Sequence, residues 1–402
     1  MKIGVLTFHR SYNYGAYMQC FSLITKLKST YPQHDIEVID YTSFKALKGY
    51  ENAINNAKTK KLARLLQERN NSFIECQEKL PLSSKKYISD NMTEVVAYMN
   101  QEYDVVVVGS DAVFNWIVRG FPNLYFLKDY NGIKLSYAAS AHGMNYQNMT
   151  EQQKQYLAQA FSDFSYIGVR DITTENMVKF VDDGLKPYHN CDPTMFLDLN
   201  QVPCDLEKLK TKLKNKGVDF TKPLIGIMAN NYIGYEIKKK FKNRVQLIAL
   251  YEPNRYADVF LNDLTPFEWA HVFSFFKVTV THFFHGTMLS LVNSVPVIPV
   301  EFINEFSAKN PTKIKDLMRR LGLSEWREEA DYRGFSFIKR VLCRLKFITD
   351  KELWNRVNKR IELFLENDYS SQIKEKVNVE KQYYNSFEET LNSIINKGEK
   401  ND

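Results

Sequence analysis

The segment Tyr103–Gly109 (YDVVVVG) places the strongest constraint on the fold, because four consecutive valines run into a glycine with no polar residue among them. A strand that does not alternate apolar and polar residues is buried on both faces. Helices must then cover both sides of its sheet, and sheets of that kind are parallel. The segment therefore predicts a central strand of a parallel α/β sheet.

Short apolar runs separated by helical segments extend over residues 1–300. Lys2–Phe8 predicts a strand, Gly15–Leu27 a helix and Ile36–Asp40 a second strand. This opening lacks GxGxxG, so it does not indicate a dinucleotide site. Residues 49–100, rich in Lys, Asn and Gln, predict helices that decorate the sheet. Strands alternating with helices favour mostly parallel sheets. The remaining predicted strands are Lys134–Ala139, Tyr166–Val169, Pro223–Ala229, Val245–Tyr251, Phe276–Thr281 and Val295–Val300.

A chain of 402 residues is long enough for two domains, each with its own core. We expect a Rossmann-like domain over residues 1–195, a linker over 196–221 and a second Rossmann-like domain over 222–330. Residues 331–402 are predicted as helices that pack back on the core. The apolar residues at helical spacing there are Leu353, Trp354, Val357, Ile361, Phe364 and Leu365, and then Tyr384, Phe387, Leu391, Ile394 and Ile395.

Composition excludes several classes of protein. No apolar run approaches the ~20 residues of a membrane span, and the N-terminus lacks the apolar core of a signal peptide, so we expect a cytoplasmic protein. Five cysteines without CxxC spacing favour reduced thiols. A net charge of +7 suits anionic small substrates or an acidic membrane surface better than nucleic acid. The basic amphipathic segment Gly334–Ile348 predicts a helix, either resting on the inner face of a membrane or packed on the core.

The stretch Lys277–Glu301 combines an apolar run, a loop with His282 and His285, a short helix and another apolar run. A histidine at a strand-to-helix turn lies where α/β folds bind ligands. Gly286 and Thr287 would open the helix, whose first N–H groups attract anions. The pattern therefore predicts an anion site beside a group that transfers protons, since imidazole titrates near neutral pH.

His282 and His285 also allow a metal pair, with Glu301 as a speculative third ligand. No third ligand stands at a suitable spacing, and HExxH is absent from the sequence. A histidine beside an apolar strand is commonly a core residue, but the Gly-Thr that follows His285 sets it apart. We therefore expect no metal.

Polar residues also follow the predicted strands of the first half. Asn13 and Gly15 stand between the first strand and the first helix, where they indicate either an anion site or an ordinary turn. Ser110, Asp111 and Asn115 follow the valine run. Asp111 can accept a proton from a hydroxyl group or cap the next helix.

Arg170 ends another predicted strand and is followed by Asp171. A guanidinium group there can hold a carboxylate or phosphate through two parallel hydrogen bonds. The alternative is an internal ion pair with Asp171 or another neighbour.

Seven segments stand in a fixed order along the chain: Ile3–Phe8, Asn13–Gln19, Tyr103–Asn115, Leu135–Ser140, Val169–Asp171, Cys191–Thr194 and Thr281–Thr287. Taken together, they resemble the polysaccharide pyruvyl transferase family, and the resemblance covers residues 1–325. It implies a GT-B-like fold of two facing Rossmann-type domains, with phosphoenolpyruvate as the donor and no cofactor. The implied product is a pyruvate ketal on two hydroxyls of a sugar in a surface polysaccharide or its lipid-linked precursor.

The resemblance also implies roles for these residues. His285 is the expected acid–base group. Arg170 is expected to bind the carboxylate or phosphate of the donor, and Asp111 is the expected base for the acceptor hydroxyl. The second domain would hold the donor and the first the acceptor, through residues 49–100 and its loops. The other expected contacts are Asn13, Gly15, Ser110, Asn115, Gly286 and Thr287.

One departure from the family concerns Phe283, because some members carry an arginine two positions before the motif histidine. Lys313 or Lys309 can supply the missing positive charge.

Two other functions remain open. A nucleotide-sugar glycosyltransferase can use the same scaffold, because fold alone does not fix function. A catalytically silent scaffold of a polysaccharide assembly complex would tolerate the loss of His285 and Arg170.

Overall fold

The computed structural model describes residues 1–303, 311–331 and 350–398. Lys309 and the predicted helix Gly334–Ile348 lie outside the described residues. The strands are β1 (Lys2–Leu6), β2 (Asp35–Thr42), β3 (Leu82–Ile88), β4 (Val105–Val108), β5 (Ile133–Ala139), β6 (Phe164–Val169), β7 (Pro187–His189), β8 (Leu224–Met228), β9 (Gln246–Leu250), β10 (Val259–Leu261), β11 (Val278–Thr281), β12 (Val297–Ile303) and β13 (Glu328–Asp331).

Helices cover the strands and connect them. Among the described residues, none of these helices combines the length and apolar character needed to span a bilayer. They are α1 (Tyr14–Thr30), α2 (Phe44–Asn55), α3 (Lys60–Gln77), α4 (Met92–Glu102), α5 (Trp116–Arg119), α6 (Glu151–Ser162), α7 (Ile172–Val181), α8 (Leu206–Asn215), α9 (Asn231–Phe241), α10 (Pro266–Val272), α11 (Phe284–Val292), α12 (Lys313–Arg320), α13 (Lys351–Glu366), α14 (Ser370–Lys381) and α15 (Asn385–Gly398).

The chain forms two compact units. Unit 1 comprises Met1–Phe196 together with Lys381–Asp402, and unit 2 comprises Leu197–Glu380. This division differs from the boundaries expected from the sequence. All but the first residue of the expected linker, 196–221, falls within unit 2, and this stretch contains α8, whose Leu209 and Leu213 are buried.

Unit 1 is built on a seven-stranded sheet in the order β3-β2-β1-β4-β5-β6-β7, in which every pair is parallel. The valine run forms β4 and is fully buried, and Val107 pairs with Val5 of β1. The prediction of a central, doubly covered strand is confirmed.

The last described helix, α15, packs on this sheet. The ring of Phe387 lies 4.9 Å from that of Tyr137 on β5 and 5.5 Å from that of Tyr166 on β6. The hydroxyls of Tyr166 and Ser386 are 2.7 Å apart. The C-terminal part of the chain therefore completes the core of unit 1.

Unit 2 is built on a six-stranded parallel sheet in the order β10-β9-β8-β11-β12-β13. α13 covers one side of it through Leu353, Trp354, Val357, Ile361 and Phe364.

Each sheet contains a point at which the strand order reverses. In unit 1 it lies between β1 and β4, and in unit 2 between β8 and β11. Open α/β sheets bind ligands outside the carboxyl ends of the strands at such points. The loops that leave β1, β4, β8 and β11 are therefore where functional side chains are expected.

Candidate functional site

The turn that leaves β4 in unit 1 has a constrained backbone. Gly109 has φ +121°, and a Cβ atom there would lie 2.2 Å from the carbonyl oxygen of Tyr137. Asp111 has φ +80° although it is not glycine. Residues held in such sparsely populated conformations cluster at functional sites.

Asp111 keeps its carboxylate partly accessible, at 16% exposure. Its Oδ1 accepts a hydrogen bond from the N–H of Ala112 at 2.8 Å, and its carbonyl accepts one from Ser140 at 2.9 Å. The first bond fixes the carboxylate at the start of the turn, and the second ties the turn to the end of β5. Asp111 does not cap a helix.

Ser110 and Asn115, the other predicted contacts of this turn, are both buried. The backbone carbonyl of Ser110 accepts from the hydroxyl of Thr7 at 3.1 Å. The Asn115 side chain caps α5 through the N–H of Ile117 and donates to the carbonyl of His142 at 2.8 Å. Asn115 thus ties together the loops that follow β4 and β5.

Arg170 lies at the end of β6 and is only 2% exposed. Its Nη1 donates to Oδ2 of Asp192 at 2.8 Å, and its Nη2 lies 3.9 Å from Oδ1 of Asp111. Burial alone would lower the pKa of Arg170, but the charges of Asp192, Asp111 and Asp171 together raise it above its ordinary value. The internal ion pair allowed by the sequence exists, with Asp192 as the principal partner.

Asp171, next to Arg170, is held by other groups. Its carboxylate caps α7 through the N–H of Thr174 at 2.9 Å and accepts from the hydroxyl of Ser140 at 2.6 Å. Burial would raise the pKa of Asp171, but the nearby His142 and Arg170 and these hydrogen bonds lower it. Asp171 therefore stabilises the loop that carries Arg170.

Asn13 and Gly15 lie at the N-terminus of α1. Oδ1 of Asn13 accepts from the N–H groups of Gly15 at 2.9 Å and Ala16 at 3.2 Å. These first-turn donors are the groups that would otherwise bind an anion. The structure gives Asn13 a capping role.

A charged cluster beside Asn13 was not singled out from the sequence. Arg10 donates from Nε and Nη2 to both oxygens of Asp40, and Nε2 of His9 lies 3.0 Å from Oδ1 of the same carboxylate. Burial would raise the pKa of Asp40, but the hydrogen bonds from His9 and Arg10 lower it to about 2. Basic residues directly after β1, facing an acidic residue near the end of β2, are the signal that could have found it.

His282 in unit 2 is a structural histidine. Its Nε2 accepts from the N–H of Asn230 at 3.2 Å, so Nδ1 carries the proton and donates to the carbonyl of Val300 at 2.5 Å. Burial lowers the pKa of His282, partly offset by the bond to Val300. A neutral imidazole therefore links the residues that follow β8 and β11 to the backbone of β12.

His285 lies in the first turn of α11 and is half-buried. Phe283, at the N-cap position of this helix, supplies no side-chain cap. Its own N–H donates instead to the hydroxyl of Thr281 at 2.9 Å. The first turn of α11 thus combines an imidazole with a helix N-terminus whose N-cap residue has no polar side chain.

Lys313 brings a positive charge to the same region. It is the first residue of α12, and its Nζ lies 4.9 Å from the centre of the Phe284 ring. The ring of His285 lies 5.3 Å from that of Phe284, edge to face. The cation and the imidazole therefore contact the same aromatic ring.

Gly286 and Thr287 are buried, and they pack α11 against the sheet. A Cβ atom on Gly286 would lie 2.2 Å from Cε of Met228 and 2.7 Å from the hydroxyl oxygen of Thr281. The hydroxyl of Thr287 donates to the carbonyl of Phe283 at 3.2 Å. Both residues hold His285 in place through the backbone of α11.

Phe283, where the resemblance in sequence implies an arginine in some relatives, packs edge to face on Tyr251 with 5.1 Å between ring centres. Tyr251 follows β9 and has φ +67°. It is a second strained residue at the carboxyl edge of a sheet that sequence reasoning missed. No pattern in the sequence marks Tyr251 as such a residue.

Glu301 is buried at the carboxyl end of β12 and pairs with Arg327 at 3.1 Å. Burial raises the pKa of Glu301, although Thr312 and Arg327 oppose the change. Within the described ranges no group of three or more His, Cys, Asp or Glu side chains is placed to hold a metal ion.

Comparison with solved structures concerns the fold. UDP-GlcNAc 2-epimerase from Neisseria meningitidis bound to UDP-GlcNAc aligns with a TM-score of 0.50 and 10% identity, over 98% of this chain and 100% of that chain. The ADP-heptose lps heptosyltransferase II of E. coli aligns with a TM-score of 0.40 and 12% identity, over 91% and 98%. With the two parallel sheets, the first likeness confirms the expected GT-B-like class of fold.

Sequence comparison concerns the family. No curated protein matches the sequence at a significant level. The polysaccharide pyruvyl transferase family matches residues 13–302, a span that includes β4, Arg170 and the first turn of α11. The chain therefore belongs to the polysaccharide pyruvyl transferase family.

Proposed function

We propose that this protein transfers the pyruvate group of phosphoenolpyruvate to two hydroxyls of a sugar, forming a ketal. The acceptor is a saccharide of a surface polysaccharide or its lipid-linked precursor. Family membership supports the transfer of pyruvate to a polysaccharide. One observation carries the proposal: His285 lies in the first turn of α11 and packs on the ring of Phe284, which the ammonium group of Lys313 also approaches.

The donor suits this arrangement because it carries a phosphate and a carboxylate. A helix N-terminus attracts anions through its N–H groups and dipole. The ammonium group of Lys313 adds a point charge, and it stands in for the arginine replaced by Phe283. Unit 2 would therefore hold the donor.

The reaction needs one proton donor and one proton acceptor. Protonation of the methylene carbon by His285 turns it into a methyl group and makes the central carbon electrophilic. One sugar hydroxyl adds to that carbon and loses its proton. The C–O bond to phosphate then breaks, and the second hydroxyl closes the ring as its proton passes to the departing phosphate.

In unit 1 we assign Asp111 as the base for the acceptor hydroxyl, since its carboxylate is partly exposed at the end of β4. Arg170 would act through Asp111 and Asp192, because the guanidinium is buried between them. A direct contact of Arg170 with the donor stays a prediction, as do contacts of Asn13, Gly15, Ser110 and Asn115 with substrate.

Thermal unfolding with phosphoenolpyruvate and, separately, with nucleotide sugars tests the donor. A ligand at 100 times its Kd stabilises the folded state by about 2.7 kcal/mol. Phosphoenolpyruvate should raise the midpoint of the wild type and fail to do so for Lys313→Gln. Lys315→Gln is the matched control, because it removes the same charge from the same helix at a residue that pairs with Glu329. A midpoint raised by a nucleotide sugar alone would indicate a glycosyltransferase instead.

Release of phosphate from phosphoenolpyruvate, with a saccharide extract of the cell envelope as acceptor, tests the chemistry. His285→Ala should lower kcat about 10²–10⁴-fold, the usual worth of a general acid–base group. Its folding is checked by the unfolding midpoint without ligand. Full activity in this variant would remove His285 from the mechanism.

A further inference from the structure

The helical hairpin formed by α2 and α3 stands out from the rest of unit 1 because no residue from Ser43 to Arg69 is buried. α2 has no buried residue, and burial in α3 begins only at Asn70. Helices of globular proteins normally bury an apolar stripe. We call residues 43–69 the basic hairpin.

Apolar side chains are nevertheless present on this hairpin. Leu47, Tyr50 and Ile54 recur at helical spacing on one side of α2. Phe44 is 56% exposed and Leu62 is 38% exposed. Within the basic hairpin the apolar side chains are thus half-buried or exposed, and none is fully buried.

Positive charge surrounds these side chains. The basic hairpin contains seven Lys or Arg residues and two acidic residues, whereas the net charge of the whole chain is +7. Arg64 pairs with Glu68. Five lysines form no ion pair with any residue that the structure describes, namely Lys45, Lys48, Lys58, Lys60 and Lys61.

The hairpin lies at the edge of the sheet where the carboxyl ends of the strands meet. It begins directly after β2, at the carboxyl end of that strand. Tyr12, in the loop between β1 and α1, packs on Tyr50 of the hairpin at 5.0 Å and on Phe73 of α3 at 6.0 Å. The hairpin therefore borders the loop that carries Asn13.

We propose that the basic hairpin docks unit 1 on the surface of a bilayer rich in anionic lipids. Amphipathic helices bind such surfaces by inserting apolar side chains at the headgroup level while their lysines meet the lipid charges. A soluble polyanion would use the lysines but leave Phe44 and Leu62 in water. The inference concerns residues 43–69 alone and does not depend on the proposed reaction.

Flotation of the full chain with vesicles tests the inference. The protein should bind vesicles of phosphatidylcholine with phosphatidylglycerol and ignore vesicles of phosphatidylcholine alone. Replacing Lys58, Lys60 and Lys61 with glutamine should weaken binding about 100-fold, since each lysine near a charged membrane is worth ~1 kcal/mol. Changing Phe44 and Leu62 to serine should abolish the binding that persists at high salt, where surface charge is screened.

The matched control removes the same charge from unit 2. Its three substitutions, all on α8, are Lys208→Gln, Lys210→Gln and Lys214→Gln, and this variant should bind like the wild type. An equal loss of vesicle binding in both triple variants would show that only the net charge of the protein matters, and it would overturn the proposal. So would wild-type protein that binds polyphosphate through the hairpin but never binds vesicles. Unfolding midpoints of all variants should match, because the altered side chains of the hairpin are not buried.

Discussion

Asn13 and Arg170 show that a polar side chain at the end of a strand can serve the fold as well as a ligand. Both were predicted as donor contacts from residue type and position. The structure gives Asn13 the cap of α1 and gives Arg170 a buried ion pair. The free energy of unfolding of variants at these residues must therefore be measured before a change in their substrate binding is interpreted.

Arg170→Ala should destabilise unit 1 by about 3–5 kcal/mol, because it leaves Asp192 buried without its cation. The double variant Arg170→Ala with Asp192→Asn should recover part of this loss, since the uncompensated charge is gone. Urea unfolding of the two variants measures the difference. A double variant no more stable than the single one would show that the ion pair is not the source of the effect.

Acidification should destabilise the fold through His282. Its pKa in the folded state lies below the ordinary 6.5, so the unfolded state binds the proton more readily as pH falls below about 6.5. The unfolding free energy should then fall from pH 7.5 to 5.5, by at most about 1.4 kcal/mol per pH unit for this group.

His282→Gln should be less stable but should show a flatter pH dependence in the same urea titrations. Asp40 does not contribute in this window, because its pKa of about 2 confines its own loss of stability to pH below about 4. If the unfolding free energy of this variant depended on pH as steeply as that of the wild type, another group would be responsible. One such group is His271, because burial also lowers its pKa.

At the scale of elements, the close approach of α11 to its sheet depends on Gly286. Gly286→Ala should cost about 1–3 kcal/mol, because the new methyl group meets Met228 and Thr281. Gly49→Ala is the control, since its Cβ position within α2 is open and alanine favours helix by ~1 kcal/mol. Thermal unfolding should move in opposite directions for the two variants, and equal shifts would contradict the packing argument.

The strands that sequence reasoning missed are β3, β7, β10 and β13, and they form the four edges of the two sheets. A central strand is buried on both faces and leaves an apolar run such as Val105–Val108 in the sequence. An edge strand needs no such run: most of β3 (LSSKKYI) is exposed or half-buried, and β7 has three residues. The pattern that predicted the sheet centres was therefore absent at the edges.

The sequence predicted those residues of the candidate site whose place follows from their position relative to a strand. His285 and Asp111 could be assigned to strand ends from sequence alone. Pairings between distant strands, such as Arg170 with Asp192 or His9 with Asp40, depend on strand order and on side-chain direction. Neither strand order nor side-chain direction can be inferred from a local sequence pattern, so these contacts could be identified only in the structure.

At the scale of the whole molecule, unit 1 depends on a helix from the far end of the chain. Phe387→Ala should destabilise unit 1 by about 3–5 kcal/mol, because this buried ring packs on Tyr137 and Tyr166. Asn392→Ala, at an exposed position of the same helix, should change little. Hydrogen exchange should report faster opening of β5 and β6 in the first variant, and unchanged exchange there would contradict a role of α15 in this core.

The return of α15 to unit 1 also sets an order of events during synthesis. Residues 197–380 leave the ribosome before residues 385–398, so unit 2 can complete its own core while the first sheet still lacks the helix that covers Tyr137 and Tyr166. Domains generally fold as units as the chain emerges. Here the N-terminal unit is the one that must wait, and its uncovered tyrosine face is a surface for chaperones to bind until the last helix arrives.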